Sequence, residues 1–340
     1  MNRREFLFLT AAGMALPSRR QLTAAESDQG KIVTVNGPIA PERLGTTLPH
    51  EHVMVDFIGA EKVSRERYDP EKVIATVLPH LKRAHDAGAA AFFDCTPAYL
   101  ARDPVVLKRL SEASGLHIVT NTGYYAARAG QFLPKHARTE TADQLADRWL
   151  AEWTDGIENS GIRPGFIKIG VDKGPLSEAS RKLVRAAARA HLKSGLTIAC
   201  HTGDGAAAME EMELLREEGV DPSAWIWVHA QNENDRALFE RAAERGGWVE
   251  FDGIGPDSIQ RHVELLSFMK ERGHLNRALI SQDAGWYWVG EPGGGKFRPY
   301  TTLFDQFLPA LVKAGFSKDE IRSLTVKNPA EAYTVRVRKQ

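Results

Sequence analysis

The sequence predicts an α/β protein, a (β/α)8 barrel, on three observations. Short apolar runs alternate eight times with amphipathic stretches, the pattern of parallel βα units. Six residues able to bind metal (His50, His52, Lys168, His201, His229 and Asp283) stand at the C-terminal ends of five of those runs. In a parallel barrel those ends converge on one rim, where active sites lie. A doubly wound open sheet also alternates, but it usually carries a Gly-rich phosphate turn after its first strand. No GxGxxG or GxxxxGK[ST] follows any of the eight runs.

Each element has its own warrant. KIVTVNGPI (31–39) reads as a strand ended by the Gly37-Pro38 turn signal, part of a two-strand cap ahead of the barrel. The expected barrel strands are 45–55, 89–96, 117–123, 165–170, 196–202, 225–229, 248–254 and 278–282. They are short, rich in β-branched and aromatic residues, and closed by small or polar ones. Helical patterns fill 70–87, 104–114, 141–160, 177–193, 205–218, 233–245, 258–272 and 301–314. Asp103-Pro104 sets a capping carboxylate ahead of a proline at the first helical position, and Ser177 caps the next-but-one helix. The segment 284–299 carries Trp286, Tyr287, Trp288 and Phe297 and reads as a loop walling or covering the rim. Its Gly293-Gly294-Gly295 run lacks a following helix start, so it reads as a flexible rim piece rather than a phosphate cradle.

Bulk composition excludes several classes of function. With 340 residues, 43% hydrophobic and 26% charged, the chain has ordinary globular composition. Its formal net charge is zero and no basic stripe appears, so neither nucleic acid nor an anionic membrane is an expected partner. Two cysteines, Cys95 and Cys200, make no disulfide framework and read as buried thiols. Period-two alternation sets Cys200 on the face opposite His201. MNRREFLFLTAAGMALP joins Arg3-Arg4 to an apolar run too short to span a bilayer. It resembles a twin-arginine export signal, so residues 1–30 are expected to be a signal and flexible N-terminus. Residues 31–340 are then a single barrel domain in the periplasm or outside the cell, without a membrane anchor.

Spacing carries the chemistry. His50-Glu51-His52 lies on a strand, so both imidazoles share a face and Glu51 points the other way. A lone histidine is more often structural than a ligand. Four of them with an aspartate at the strand ends of one barrel reverse that balance. Lys168, between Ile167 and Ile169 in GFIKIG, is turned inward. A buried ammonium beside metal ions is costly, which favours the neutral amine that captures carbon dioxide as a carbamate. Its two oxygens suffice to bridge two dications.

These residues resemble the phosphotriesterase family of the amidohydrolase superfamily. The resemblance runs from LGTTLPHEH (44–52) through RPGFIKIG (163–170), ACHTG (199–203), VHAQNENDRALFERAAERGGWVEFDGIG (228–255) and SQDAG (281–285) to KNPA (327–330). It implies that His50, His52 and Asp283 hold the more buried of two divalent ions, and His201 and His229 the more exposed. Lys168, as N6-carboxylysine, bridges them. Zinc is the first expectation, with Mn, Co or Fe open. The implied chemistry is attack of a bridging hydroxide on an ester-type C=O or P=O centre, with Asp283 carrying the proton away. Tyr125, in NTGYYAA, resembles the tyrosine of the lactonase-like branch and offers a ring hydroxyl to the site. Gly253 stands where a larger side chain is usual in the family, and is expected to open the pocket.

The expected substrate is a small neutral ester or lactone, with aryl phosphotriesters as a slower side activity. A dedicated organophosphate triester hydrolase is the alternative, and a second copy of the chain is an open partner. A single-metal deaminase would not need Lys168. A deoxyribonuclease of this shape would carry glutamate there and a basic face, and a binding protein has no use for six ligands. Replacing Arg3 and Arg4 by lysine is expected to leave precursor in the cytoplasm; undiminished export of that double variant rejects the signal assignment.

Overall fold

The computed structural model describes residues 28–340, so all but the end of the expected export signal lies outside the described residues. β1 (Ile32–Thr34) and β2 (Gly37–Ile39) form an antiparallel hairpin with Val33 opposite Pro38. Gly37-Pro38 therefore lies inside the second strand, where an end to the first was expected. Asn36 makes the turn instead, its amide bonded to the Thr34 hydroxyl, which donates to the Gly37 carbonyl. The Val35 amide bonds the Ile118 carbonyl at 2.9 Å and docks the hairpin on the barrel.

The remaining strands are β3 (Thr47–Val55), β4 (Ala91–Asp94), β5 (His117–Val119), β6 (Asn121–Thr122), β7 (Phe166–Gly170), β8 (Ile198–His201), β9 (Trp225–Val228), β10 (Trp248–Phe251), β11 (Ala278–Ile280) and β12 (Gly285–Trp288). All pair in parallel, in the orders β12-β3-β4-β5 and β6-β7-β8-β9-β10-β11. β5 and β6 are one barrel strand interrupted at Thr120. At the other seam, the Asp283 amide donates to the His50 carbonyl at 3.1 Å, and the His50 amide to Ser281 Oγ at 3.0 Å. These bonds join β11 to β3, giving the expected eight-stranded (β/α)8 barrel. The segment 284–299 is not wholly a loop. Its start, β12, extends the eighth strand along β3, with Gly285 opposite His52. Its glycine run is a short turn at Pro292–Gly294 packed against Tyr287.

Alternation sorts the core into two layers. Ala91, Phe93, Val119, Phe166, Ala199, Ile226, Val228, Trp248 and Leu279 fill the barrel interior. Phe92, Ile118, Ile167, Ile169, Cys200, Trp227 and Phe251 pack outward against the helices. Helix starts follow the expected chemistry: Asp69, Asp103 and Ser177 accept backbone amides of the first turns they cap. Two helices are shorter than their patterns. Ala142–Asp155 stops at Gly156, and Arg236–Glu244 opens on Asp235 because Glu233 is drawn off to the Gly205 amide. The 301–314 helix begins as a wide turn, Leu303–Phe307, before Leu308–Lys313. Pro309 has no amide to give and its ring crowds the preceding turn, which widens to i→i+5 bonding.

Glu211, on the helix Gly205–Glu217, is buried between β8 and β9, where it accepts from Trp225 Nε1 at 2.7 Å and the Thr202 hydroxyl at 3.0 Å. Burial pushes its carboxyl up to about 8, against the hydrogen bonds it receives. A folded-state value above the unfolded one favours folding fully below pH ~4.5, and the benefit is lost as pH rises through about 8. Glu211→Gln should therefore lose less urea stability than the wild type between pH 5 and pH 9. Equal losses in the two proteins would remove the role assigned to this carboxyl.

Candidate metal centre

The six sequence-derived residues meet at the C-terminal mouth of the barrel, and three local devices aim them. Leu48 packs in the outer layer, so strict alternation would send His50 and His52 outward too. A register shift between Leu48 and Glu51 turns the strand over and sends the imidazoles in. Lys168 shares its inward face with Phe166, and His201 shares one with Ala199. His229 is one residue past β9 and, by alternation with Val228, belongs outside. Its left-handed backbone (φ 63°) swings the ring in. Asp283 is also left-handed (φ 48°). Strain of this kind costs of order 1–3 kcal/mol per residue and clusters at functional sites.

His52 Nε2 lies 3.1 Å and His50 Nε2 3.8 Å from Asp283 Oδ1. The His50 ring centroid is 5.0 Å from that of His229, which is 4.5 Å from that of His201. Lys168 is 2% exposed, and its Nζ has no hydrogen-bond partner among the described residues. Burial pushes the His52 imidazole down to about 4 and, with His229 alongside, pushes His201 well below its usual value. Both rings are thus neutral near pH 7, the state a metal requires. Burial also weighs on His50 and Asp283, but partners win. Asp252 holds His50 up to about 10, and the imidazoles close around Asp283, His52 first, bring its carboxyl down to about 2.

His52 tests the fit of a cation directly. Its Nδ1 bonds Thr96 Oγ1 at 2.8 Å, and that hydroxyl gives its own proton to the Met54 carbonyl at 2.9 Å. His52 must therefore carry its proton on Nδ1. A bare Nε2 lone pair then faces the Asp283 oxygen, with no proton between them. A dication fits there, and the buried, unpartnered Lys168 amine fits a bridging carbamate beside it.

The residues behind the candidate ligands are not among those the sequence motifs single out. Asp252 Oδ2 accepts from His50 Nδ1 at 2.9 Å and the His229 amide at 3.0 Å. Its Oδ1 accepts from His229 Nδ1 and Gln231 Nε2, both at 2.7 Å. With all four acceptor positions filled, Asp252 orients two rings and is not a free ligand. Glu250 stands 3.3 Å from His50 Nδ1. Period-two alternation in WVEFDG, with Trp248 inside, marks Glu250 and Asp252 as inward. Glu51 points away from the site, as expected, and accepts from Ser281 Oγ and the Gln282 and Ala284 amides. It thereby fixes the backbone on either side of Asp283.

The ligand residues, Tyr125, Phe57 and Trp286 line a cavity of about 160 Å³. Tyr125 lies with its ring centroid 4.9 Å from that of His201. It fits because Gly170 has no Cβ, which would sit 2.4 Å from the Tyr125 ring. Burial pushes its phenol up, so the hydroxyl remains a donor. Gly253 does not open the pocket. Gln231, pulled over by Asp252, fills the space, and a Cβ on Gly253 would stand 2.8 Å from its Nε2. A larger cavity of about 490 Å³, lined by Tyr99, Arg102, Tyr124 and Trp149, contains none of the six residues.

Comparison with known proteins bears on the same residues. The profile of the Phosphotriesterase family matches residues 30–333. A phosphotriesterase homology protein of Escherichia coli (strain K12) is 28% identical, over 85% of this chain and 98% of its own. An aryldialkylphosphatase of Saccharolobus solfataricus is 25% identical, over 87% and 97%. A solved structure from the engineering of organophosphate hydrolysis on a weak promiscuous lactonase template superposes with a TM-score of 0.80 at 27% identity, over 89% of this chain and 99% of that one.

Loss of a residue that orients metal-binding histidines typically costs 10–100-fold in metal affinity. Asp252→Asn is expected to weaken zinc retention by about that factor in competition with a chelator. Wild-type retention would show that Asp252 does not orient the two rings.

Proposed function

The chain belongs to the phosphotriesterase family, and we propose that it is a binuclear metal hydrolase of ester-type bonds, favouring lactones over aryl phosphotriesters. The family's enzymes are binuclear metal hydrolases acting on esters. The observation that carries the reading for this chain is the Lys168 amine, buried without a hydrogen-bond partner among the described residues in a cavity it shares with the four histidines. In the proposal His50, His52 and Asp283 hold one ion, and His201 and His229 the other. Lys168, once carboxylated, would supply oxygens to both. Such a pair of ions supplies Lewis-acid polarisation of the scissile C=O or P=O bond and acidifies the attacking water.

The chain's own groups do the rest. Asp283, the carboxylate nearest the attacking water, takes its proton. Tyr125, protonated and beside His201, donates to an oxygen of the substrate. Asp252, Thr96 and Glu51 keep the rings and Asp283 from turning as charge develops. Trp286 and Phe57 exclude water from the mouth. A cavity of about 160 Å³ and the Tyr125 donor favour a compact carbonyl over three phosphorus substituents. The likeness to a structure built on a lactonase template supports the same order, and the aryldialkylphosphatase relative supports the slower activity.

Lys168→Ala is expected to lose most activity on a lactone and to recover part of it with added short-chain carboxylic acids. No recovery, together with an unmodified amine in a metal-loaded crystal, rejects the carbamate. The substrate order is read from kcat/KM for a medium-chain lactone against an aryl dialkyl phosphate. A tenfold preference for the phosphotriester, about 1.4 kcal/mol of transition-state discrimination, overturns it.

A further inference from the structure

Two arginines guard the cavity mouth with no acid to answer them. Arg128 lines the cavity, is exposed, and stacks its guanidinium 5.1 Å from the centre of the Phe57 ring. Arg298, on the other side, stacks 4.7 Å from Trp286 and donates to the Asp283 carbonyl. Phe57 and Trp286 are themselves neighbours, with ring centroids 5.5 Å apart. The two cations thus flank one aromatic floor. Neither guanidinium makes an ion pair among the described residues, whereas other arginines in this region do. Arg102 pairs with Glu152 at 2.6 Å, Arg67 with Asp56 at 2.6 Å and Arg65 with Glu158 at 2.8 Å. Asp172, beside Arg128, accepts the Arg128 and Ala129 backbone amides at 2.8 and 2.9 Å and makes no ion pair with the guanidinium. A third donor stands beside them: Trp286 Nε1 is buried without an acceptor.

We propose that this mouth binds an oxyanion group, a carboxylate or a phosphate, carried by the substrate away from the bond that is cleaved. The substrate class is then an anionic ester or lactone rather than the small neutral one expected from the sequence. The inference deepens the hydrolase reading and rests on it for which end of the substrate enters the cavity. Two guanidiniums held over aromatic rings can take a planar or tetrahedral oxyanion. Arg128 makes no side-chain hydrogen bond among the described residues, and Arg298 has donors left beyond the one given to the Asp283 carbonyl. Unpaired cations at a narrow mouth also raise the local concentration of an anionic substrate. The small cavity suits the scissile carbonyl, and the charged remainder stays outside it with the arginines.

The test is equilibrium binding to the zinc-loaded protein by calorimetry. Valerate serves as the single-anion probe, against dicarboxylates of four to seven carbons and 4-phosphonobutyrate. One carboxylate of each probe mimics the product acid, and the second anion reaches for the mouth. At least one doubly anionic probe is expected to bind tenfold or more tightly than valerate, and the better of the two chemistries separates carboxylate from phosphate. The ratio should fall towards one in Arg128→Met and in the Arg128→Met, Arg298→Met double variant. Equal binding of valerate and every doubly anionic probe overturns the proposal, as does a preference that survives the double variant. Failure of the hydrolase reading shows separately, as absence of turnover of any lactone or phosphotriester.

Discussion

One buried carboxylate organises this molecule. Asp252, at the end of β10, reaches His50 on β3 and His229 past β9, and so ties together strands far apart in the sequence. Removed from water, an aspartate is tolerable only when its oxygens are fully engaged. Here two imidazoles, one backbone amide and one side-chain amide meet that demand. The same bonds fix which ring nitrogen each histidine turns to the centre. Satisfying a buried charge and orienting metal ligands are therefore one arrangement.

The left-handed His229 and Asp283 and the unpartnered Lys168 stand at this rim, above a packed apolar interior. The interior below is closed by Phe93, Phe166, Trp248 and Tyr333, all almost fully buried. That rigid floor lets the mouth carry left-handed residues at His229 and Asp283 and a lysine without a partner. Glu51 works from outside the ring of strands, holding the amides around Asp283 so that its strained backbone has one position. Floor and mouth divide the labour: the floor supplies stability, and the mouth spends part of it on geometry.

Charge divides the mouth again, between the centre and its approach. Inside, four imidazoles, the Asp283 carboxylate and the Lys168 amine line the cavity. Outside, Arg128 and Arg298 lie over Phe57 and Trp286 and leave the approach positive. A zero net charge over the whole chain conceals this local excess.

The sequence by itself determined the barrel and the meeting of the six candidate ligands at one rim, because βα alternation, HxH spacing and an inward lysine are local, periodic signals. It also held Glu250 and Asp252 in the alternation of WVEFDG, a signal passed over because carboxylates are usually exposed. Other features were decided only by the tertiary structure. The shift between Leu48 and Glu51 and the left-handed turn at His229 reverse what alternation assigns, and both are set by neighbouring strands. β12 read as loop because its pairing partner, β3, lies more than two hundred residues away. Gly253 looked like open space, since no local pattern says that Gln231 will be drawn over it by Asp252. Whether an arginine finds an acid is likewise a matter of three-dimensional neighbours. Composition counts charges; only the fold pairs them.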